Sequence, residues 1–455
     1  MRFIRNICKV CSILFVLMQY NIQIPFLPKL FRGLIKIYSL FRTQKMDYAD
    51  RLLCAIAKMG PVYVKCGQLL STSPDLVGED IAKILQKLQD SCPNFSSDVA
   101  VRIVEKEFGA KIDKLYGDFD LVPKASGSVA QIHKAKMHDG QYVAVKIIRP
   151  NIMEKYAQDI GFLYFVIKYF ARFLPHKGLI ETHFLGIVDL LNKTMMSELN
   201  LELEASFASE MKECLIKDEN LYIPQIFWHL TTKNVLTIEW IDGVSIYDLH
   251  ALTAGHLQPK IIAQKIAISF CIQAYQFGFF HGDLHPGNII VMHDGKIALI
   301  DFGIVGRLAE KDRIAIAEIL YGFIKRDYLK VAEVHRMAKY IPEHVDILEF
   351  AQHLRIIGER IVGKTLNDIS ISNVLIQILA VAKKFMVGQQ TQLLLVQKTT
   401  IAVERIVRLL DPQINMWELA TPWITIWVKH NIGAHAKIIR LIRRIIADFM
   451  VQLDT

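Results

Sequence analysis

Acidic residues are missing from the first 45 positions, which hold eight Lys or Arg and no Asp or Glu. Nearly all of the formal net charge of +9 therefore sits in that segment, and the remainder of the chain is close to neutral. Its basic residues are interleaved with Ile, Leu and Phe, which suits an anionic lipid surface better than the phosphate groove of a nucleic acid, so no nucleic-acid partner is expected. Long apolar runs are missing too. Val10 to Tyr20 is the only early one, and it is too short to span a bilayer. No small-residue cleavage site follows it before Pro25. An amphipathic or interfacial helix is the first expectation here, with an uncleaved signal-like anchor and a segment packed on the main domain as alternatives. The expected location is the cytoplasmic face of a membrane, peripheral or anchored by this segment. Paired cysteines are also lacking. The seven fall at 8, 11, 54, 66, 92, 214 and 271, mostly in apolar helical patterns. Cys8-x-x-Cys11 has no second pair, so they read as small buried hydrophobes in a reducing compartment rather than as a zinc site.

What is present is a chain of 455 residues, 52% hydrophobic and 22% charged, which excludes general disorder and leaves room for a two-lobed enzyme with a sizeable core. Its chemistry concentrates in Phe279 to Gly303, FFHGDLHPGNIIVMHDGKIALIDFG. Two short β-runs, Ile289 to Met292 and Ile297 to Ile300, flank Asp294-Gly295, whose positive-φ tolerance suits a tight hairpin turn. Polar residues His281, Asp283, His285, Asn288 and Asp301 cluster at its ends. Asp283, four residues, Asn288, then Asp301-Phe-Gly303 follows the spacing of the H-R-D-x-x-x-x-N and D-F-G elements of kinase-like phosphotransferases. An orienting or basic carboxylate, Asp283, with an amide oxygen, Asn288, and a second carboxylate, Asp301, is what Mg2+ and a transferring phosphoryl group require.

Upstream, Ala125-Ser126-Gly127-Ser128-Val129-Ala130 places small residues where a phosphate loop of G-x-G-x-x-G type has glycine, just before a strand. Backbone N–H groups of such a loop can approach the phosphates of ATP. Two antiparallel strands are expected around Asp139-Gly140, and Val143-Ala-Val-Lys146 on the second supplies the phosphate-neutralising strand lysine. The carboxylate expected to pair with Lys146 is Glu204, beyond a helical insert from about Ile152 to Met196. Glu198 and Glu202, four apart, should share one helical face, Glu202 as a solvated residue. Asn234 to Gly243 reads as a strand entering a Gly turn, where backbone groups near Glu239 and Ile241 would hold an adenine edge. Ile261 to Phe280 reads as one apolar helix. Amphipathic helices are expected near Asp312 to Ile324, Ile347 to Val362, Leu375 to Phe385 and Leu393 to Leu410, with a break at Asp411-Pro412. A basic amphipathic helix, His435 to Leu453, follows, suited to a membrane or to the domain surface.

From Met46 to Gly109 the periodicity is helical, and inside it lies Lys65-Cys-Gly67-Gln68, a glycine kept in an otherwise apolar helix. Together with the Ala125 loop and its Gln131-Ile-His133, Lys146, Glu198-Leu-Asn200, Glu204, the His281 to Asn288 loop and Asp301-Phe-Gly303, it makes the chain from about residue 10 to about 410 resemble the UbiB family of atypical kinase-like proteins. The resemblance implies an α+β, two-lobed protein-kinase-like fold, mostly helical, with an N-terminal helical extension and a small antiparallel sheet in the N-lobe. It implies a division into a membrane-associating segment 1–45, an extension 46–115, an N-lobe 116–243 containing the insert 152–196, a C-lobe 244–410 and basic helices 411–455. It further implies ATP and Mg2+ as cofactors. Lys146 and Glu204 would serve the phosphates and Asp283 the catalytic loop, Asn288 and Asp301 would hold the metal, and Lys65 and Gln68 would face the site opposite Glu198. The implied function is an ATP-dependent ATPase supporting ubiquinone biosynthesis, with a membrane lipid or polyprenyl quinone precursor and ubiquinone-biosynthesis enzymes as partners. A nucleotide-binding scaffold, and a phosphotransferase acting on a small molecule or protein, are the alternatives. Three departures stand out: Asn200 replaces the family's Asp, Gly127 replaces an Ala, and the C-terminal transmembrane pair of bacterial members gives way to the basic helix.

Overall fold

A computed structural model describes residues 2–22, 46–71, 77–85, 87–88, 94–170, 177–216, 218–362 and 391–432, with single positions at 33, 377, 378, 381 and 385. The expected helix at His435 to Leu453 lies outside these residues, as does most of the one near Leu375 to Phe385. The chain divides into two compact units, one of residues 1–203 and 227–239, the other of residues 204–226 and 240–455.

The first unit opens on helix α1 (Arg2–Gln19). Its Val16 and Leu17 bury, with Ile22, against Leu52, Ala55 and Met59 of α2 (Tyr48–Met59). These apolar side chains leave water by covering α2. Lys9 of α1 adds an ion pair of 2.5 Å with the buried Asp159. Cys11 is exposed, which departs from the expectation of buried cysteines, while Cys271 is buried as expected. Helices α3 (Pro61–Ser71), α4 (Glu79–Leu85), α5 (Ser97–Phe108) and α6 (Ile112–Leu115) complete the extension. Gly109, in the left-handed region at φ 64°, ends α5 where a Cβ would be strained.

The antiparallel sheet follows, with β1 (Asp118–Phe119), β2 (Ala125–Ser126), β3 (Ala130–Lys136), β4 (Tyr142–Ile148) and β6 (Val235–Glu239). Its order is β1-β3-β4-β6 with β2 also on β3. The β3–β4 hairpin turns at Gly140, φ 96°, as the Asp-Gly signal anticipates. Val143, Val145 and Ile147 point alternately into one core with Ala100, Val104 and Val235. Full burial of each such side chain contributes about 2 kcal/mol. Lys146, of opposite parity, stands on the other face and is half-buried. The insert forms α7 (Ile152–Phe170) and α8 (Lys177–Glu198). Helix α9 (Leu201–Cys214) then carries the chain into the second unit.

That unit holds a sheet of order β5-β10-β9-β7, with β5 (Leu221–Tyr222) parallel to β10 (Ile297–Leu299) and the other pairs, with β9 (Ile289–Met292) and β7 (Gly243–Ser245), antiparallel. Helix α10 (Leu249–Ala254) precedes α11 (Pro259–Cys271), which does not run to Phe280 as expected. It widens into a π-helical segment, Ile272–Phe277, and stops at Gly278, φ 69°. Phe279 to His281 then forms strand β8, paired with β11 (Val305–Arg307). The apolar run conceals this change because buried strands and buried helices share it. After β11 come α12 (Glu310–Lys325), α13 (Tyr328–Met337), α14 (Ile347–Val362), α15 (Thr391–Leu410) and α16 (Met416–Ile432). Helix α13 was not anticipated. Arg326 at φ 59° ends α12, and the Asp327 carboxylate accepts the Lys330 N–H to start the next helix. Among the described residues no helix is long and apolar enough to cross a membrane.

Candidate functional site

In the second unit the tight β9–β10 ribbon and the β8–β11 pair bring the two carboxylate loops together. Val305 lies opposite His281, and the Ile300 N–H donates to the Asn288 carbonyl at 3.2 Å, so Asn288 and Asp301 are neighbours. His281 joins the two loops. Its Nδ1 accepts the Asp283 N–H at 3.1 Å, which fixes the tautomer, and its Nε2–H donates to the Asp301 carbonyl. The ring is buried against Phe302, and burial, the largest cause, pushes its pKa below the ordinary histidine value. It stays neutral and acts as a spacer between Asp283 and Asp301 rather than as a titrating base. Asn288 is buried and donates from Nδ2 to the Asp283 carbonyl at 3.3 Å, which turns Oδ1 to the other side. Asp301 Oδ1 accepts the Gly303 N–H at 2.9 Å.

An amide oxygen and a carboxylate beside each other fit a hard cation. Among the described residues no cluster of three or more His, Cys, Asp or Glu could hold a metal unaided. A magnesium site at Asn288 and Asp301 would therefore need phosphate oxygens to complete it, which is the usual manner of magnesium–nucleotide binding.

In the first unit the Ala125 to Val129 segment is a hairpin rather than an open loop preceding a strand. Ala125 and Ser126 form β2 opposite Ile132 and Gln131, and the Gly127 N–H donates to the Ala130 carbonyl at 2.9 Å. Arg149, which sequence reasoning passed over, clamps the turn. Its Nε donates to the Gly127 carbonyl at 2.9 Å, its guanidinium donates to Ser126 Oγ at 2.7 Å, and its N–H donates to the Val129 carbonyl at 2.9 Å. Ser128 and Val129 are buried. The motif's Gln131 and His133 are fully buried and structural. Gln131 binds the Phe95 backbone on both sides, its Nε2 lies 2.8 Å from His133 Nε2, and His133 Nδ1 donates to the Asp120 carbonyl. Burial lowers the His133 pKa.

Lys65 of α3 pairs with Glu198, the last residue of α8, at 2.7 Å, with side chains 15% and 13% exposed. Gly67 has a packing reason: a Cβ there would lie 2.4 Å from Leu88 Cδ1. Gln68 donates to the Leu88 carbonyl at 3.3 Å. Burial pushes the intervening Cys66 thiol up to about 11, which leaves it an inert thiol.

Glu198 and Glu202 do not share a helical face, because the helix breaks between them. Leu199 and Asn200 fall outside α8 and α9, and Asn200 caps α9, its Oδ1 accepting the Leu203 N–H at 3.3 Å. Glu202 is exposed, as expected, and Glu204 is buried on α9. Lys146 lies opposite Ile132 and Leu236 in the first unit. Glu239 ends β6, and Ile241 is buried in the connection to β7. The division between the units falls between Glu239 and Trp240, the stretch expected to hold adenine.

Comparison with known proteins bears on this arrangement. A relative from Marinobacter nauticus described as "Probable protein kinase UbiB" is 37% identical over 404 residues, which are 88% of this chain and 74% of that one. The chain belongs to the UbiB family. A relative of the same description from Cellvibrio japonicus is also 37% identical, over 87% of this chain and 72% of its own. Residues 87–335 match the ABC1 atypical kinase-like domain and residues 354–415 the UbiB helical domain. The solved complex of Rv3197 with erythromycin from Mycobacterium tuberculosis is 23% identical, covers 82% of this chain and 94% of its own, and has a TM-score of 0.55, which shows the kinase-like fold. Two departures from the UbiB pattern now have local accounts. Asn caps a helix as well as Asp, so Asn200 keeps the backbone function while removing a charge. Gly127 sits in the turn whose carbonyl Arg149 holds.

Proposed function

We propose that this UbiB-family chain is an ATP- and magnesium-dependent, kinase-like ATPase that supports ubiquinone biosynthesis at a membrane. The observation that carries the reading is His281, one buried neutral ring hydrogen-bonded to the backbones of both Asp283 and Asp301, with Asn288 alongside. That wiring ties the backbones that carry the three groups to one another, which supports the reading because phosphoryl-transfer catalysis is mainly positioning and charge neutralisation. In this reading Asn288 and Asp301 hold Mg2+, which when bound neutralises charge on the phosphates. In the same reading the Ser126 to Val129 turn, set by Arg149, and Lys146 serve the phosphates, Glu204 keeps the catalytic role that the family resemblance gives it, and backbone groups near Glu239 and Ile241 serve the adenine edge. Asp283 orients the attacking water. In this reading Lys65, Gln68 and Glu198 form the K-x-G-Q element that regulates turnover, and the part-buried Lys65–Glu198 pair supports it as one ordered structural unit. The membrane partner is a lipid or a polyprenyl quinone precursor.

The test is ATP hydrolysis by the full chain, with and without anionic liposomes and a quinone-precursor phenol. Turnover is expected, and Asp301→Asn and Lys146→Ala should abolish it. Undiminished turnover in both variants would overturn the reading.

A further inference from the structure

Between His281 and Asn288 the catalytic loop reads HGDLHPGN and contains no lysine or arginine. The H-R-D signature has an arginine where this chain has Gly282. His285, two residues beyond Asp283, turns back on its own loop, its Nδ1 accepting the Gly287 N–H at 3.1 Å. A positive charge nevertheless reaches Asp283, from far along the chain. Lys398 Nζ lies 3.0 Å from Asp283 Oδ1, across a separation of 115 residues. It comes from α15, inside the stretch matched to the UbiB helical domain.

The contact is built rather than incidental. A Cβ at Gly282 would meet Ile304 Cγ2 at 3.0 Å and Leu395 Cδ2 at 3.1 Å, so the side chain missing at the arginine position is the space α15 uses. Thr399, 1% exposed, shares its one hydroxyl proton between the Gly282 carbonyl at 3.2 Å and the Leu395 carbonyl of its own helix at 2.9 Å. On either side Val396 and Val403 are buried in the core of the unit. The backbone of Lys398 is thereby held, while the Lys398 and Asp283 side chains stay 49% and 34% exposed. A half-exposed pair adds little to folding stability. Its worth lies in aiming a carboxylate.

We infer that Lys398 is a positioning residue of the catalytic loop, holding the Asp283 carboxylate in its working orientation with a cation that the loop itself lacks. This rests on the ATPase reading of the same site. The helical domain thereby takes part in the chemistry, so that α15 cannot shift without moving Asp283's partner.

The experiment measures kcat and KM for ATP in the full chain carrying Lys398→Met or Lys398→Arg, with thermal midpoints as the folding control. Lys398→Met should lower kcat about tenfold or more while KM stays within about twofold, as for a group that aims a catalytic carboxylate without contributing to nucleotide binding. Lys398→Arg should recover most of the rate. A folded Lys398→Met variant with kcat within about twofold of the parent overturns the inference, as does an arginine variant no better than methionine. Should the unmodified chain hydrolyse no ATP, the ATPase reading fails on its own. The pair is then read in nucleotide-free protein, from the midpoints of Lys398→Met, Asp283→Asn and the double variant at low and high salt. Salt-sensitive coupling supports the contact, and purely additive midpoints overturn it.

Discussion

Each unit contains a lysine–carboxylate pair at a motif residue, and the two differ in the one property that governs what an ion pair does. Lys65–Glu198, in the first unit, is close to buried at 2.7 Å, whereas Lys398–Asp283, in the second, is half exposed at 3.0 Å. Removing one partner of a buried pair strands a charge in a poor solvent, so such a pair behaves as a latch. Water readily replaces a partner in an exposed pair, so that pair can guide a side chain without locking the fold.

The largest expected effect is on the latch. Lys65→Ala should destabilise the chain by about 3 kcal/mol, because Glu198, largely shielded from water, loses its ammonium partner, and denaturant midpoints measure this. Lys65→Met combined with Glu198→Leu should regain most of that loss. A single substitution costing nothing would reduce the latch to a surface pair.

Burial of a titratable group without a counter-charge gives the second comparison. His335, packed against Tyr340 and Phe350, has its pKa lowered to about 4 by burial. The unfolded chain therefore binds this proton more readily than the folded one. The stability it confers is complete above pH 6.5 and is lost as pH falls from there towards 4, by about 3 kcal/mol at most. His335→Leu should flatten that part of the pH–stability curve in urea titrations. An unchanged slope would assign acid sensitivity to other groups, including His281 and His133, whose pKa values burial also lowers.

Beside Glu198, Asn200→Ala should cost about 1 kcal/mol by removing the cap of α9, whereas Asn200→Asp should leave stability unchanged within a few tenths of that, both read by thermal melts. Only a small change is expected at the exposed pair. Lys398→Met should alter stability by less than about 1 kcal/mol, despite its effect on turnover. A loss as large as that of Lys65→Ala would erase the contrast between the pairs.

The motif residues were legible one segment at a time because each is announced by local chemistry. Asp294-Gly295 marks the hairpin, Asp139-Gly140 the other turn, and the spacing from Asp283 to Asp301 the two carboxylate loops that His281 joins. The misreadings share a cause as well. The run from Ile261 to Phe280 is apolar throughout, and periodicity does not separate the buried helix from the buried strand that begins at Phe279. Glu198 and Glu202 stand four apart on paper, but an asparagine cap lies between them. Arg149 carried a faint signal, three residues after the strand lysine, yet only the folded hairpin shows that it holds Gly127 and Ser126. For Lys398 there was no signal, since it is an ordinary lysine on an amphipathic helix.

By itself the sequence determined the kinase-like class, the family resemblance, the two metal-binding candidates and the K-x-G-Q element, because these depend on residue types at short and regular separations. Only the tertiary structure decided that α1 covers α2 along its Val16 and Leu17 face, that Lys65 is latched to Glu198, and that a helix 115 residues downstream brings a cation to Asp283. The reason is physical: burial and long-range pairing depend on which surfaces meet, and local pattern does not encode that meeting.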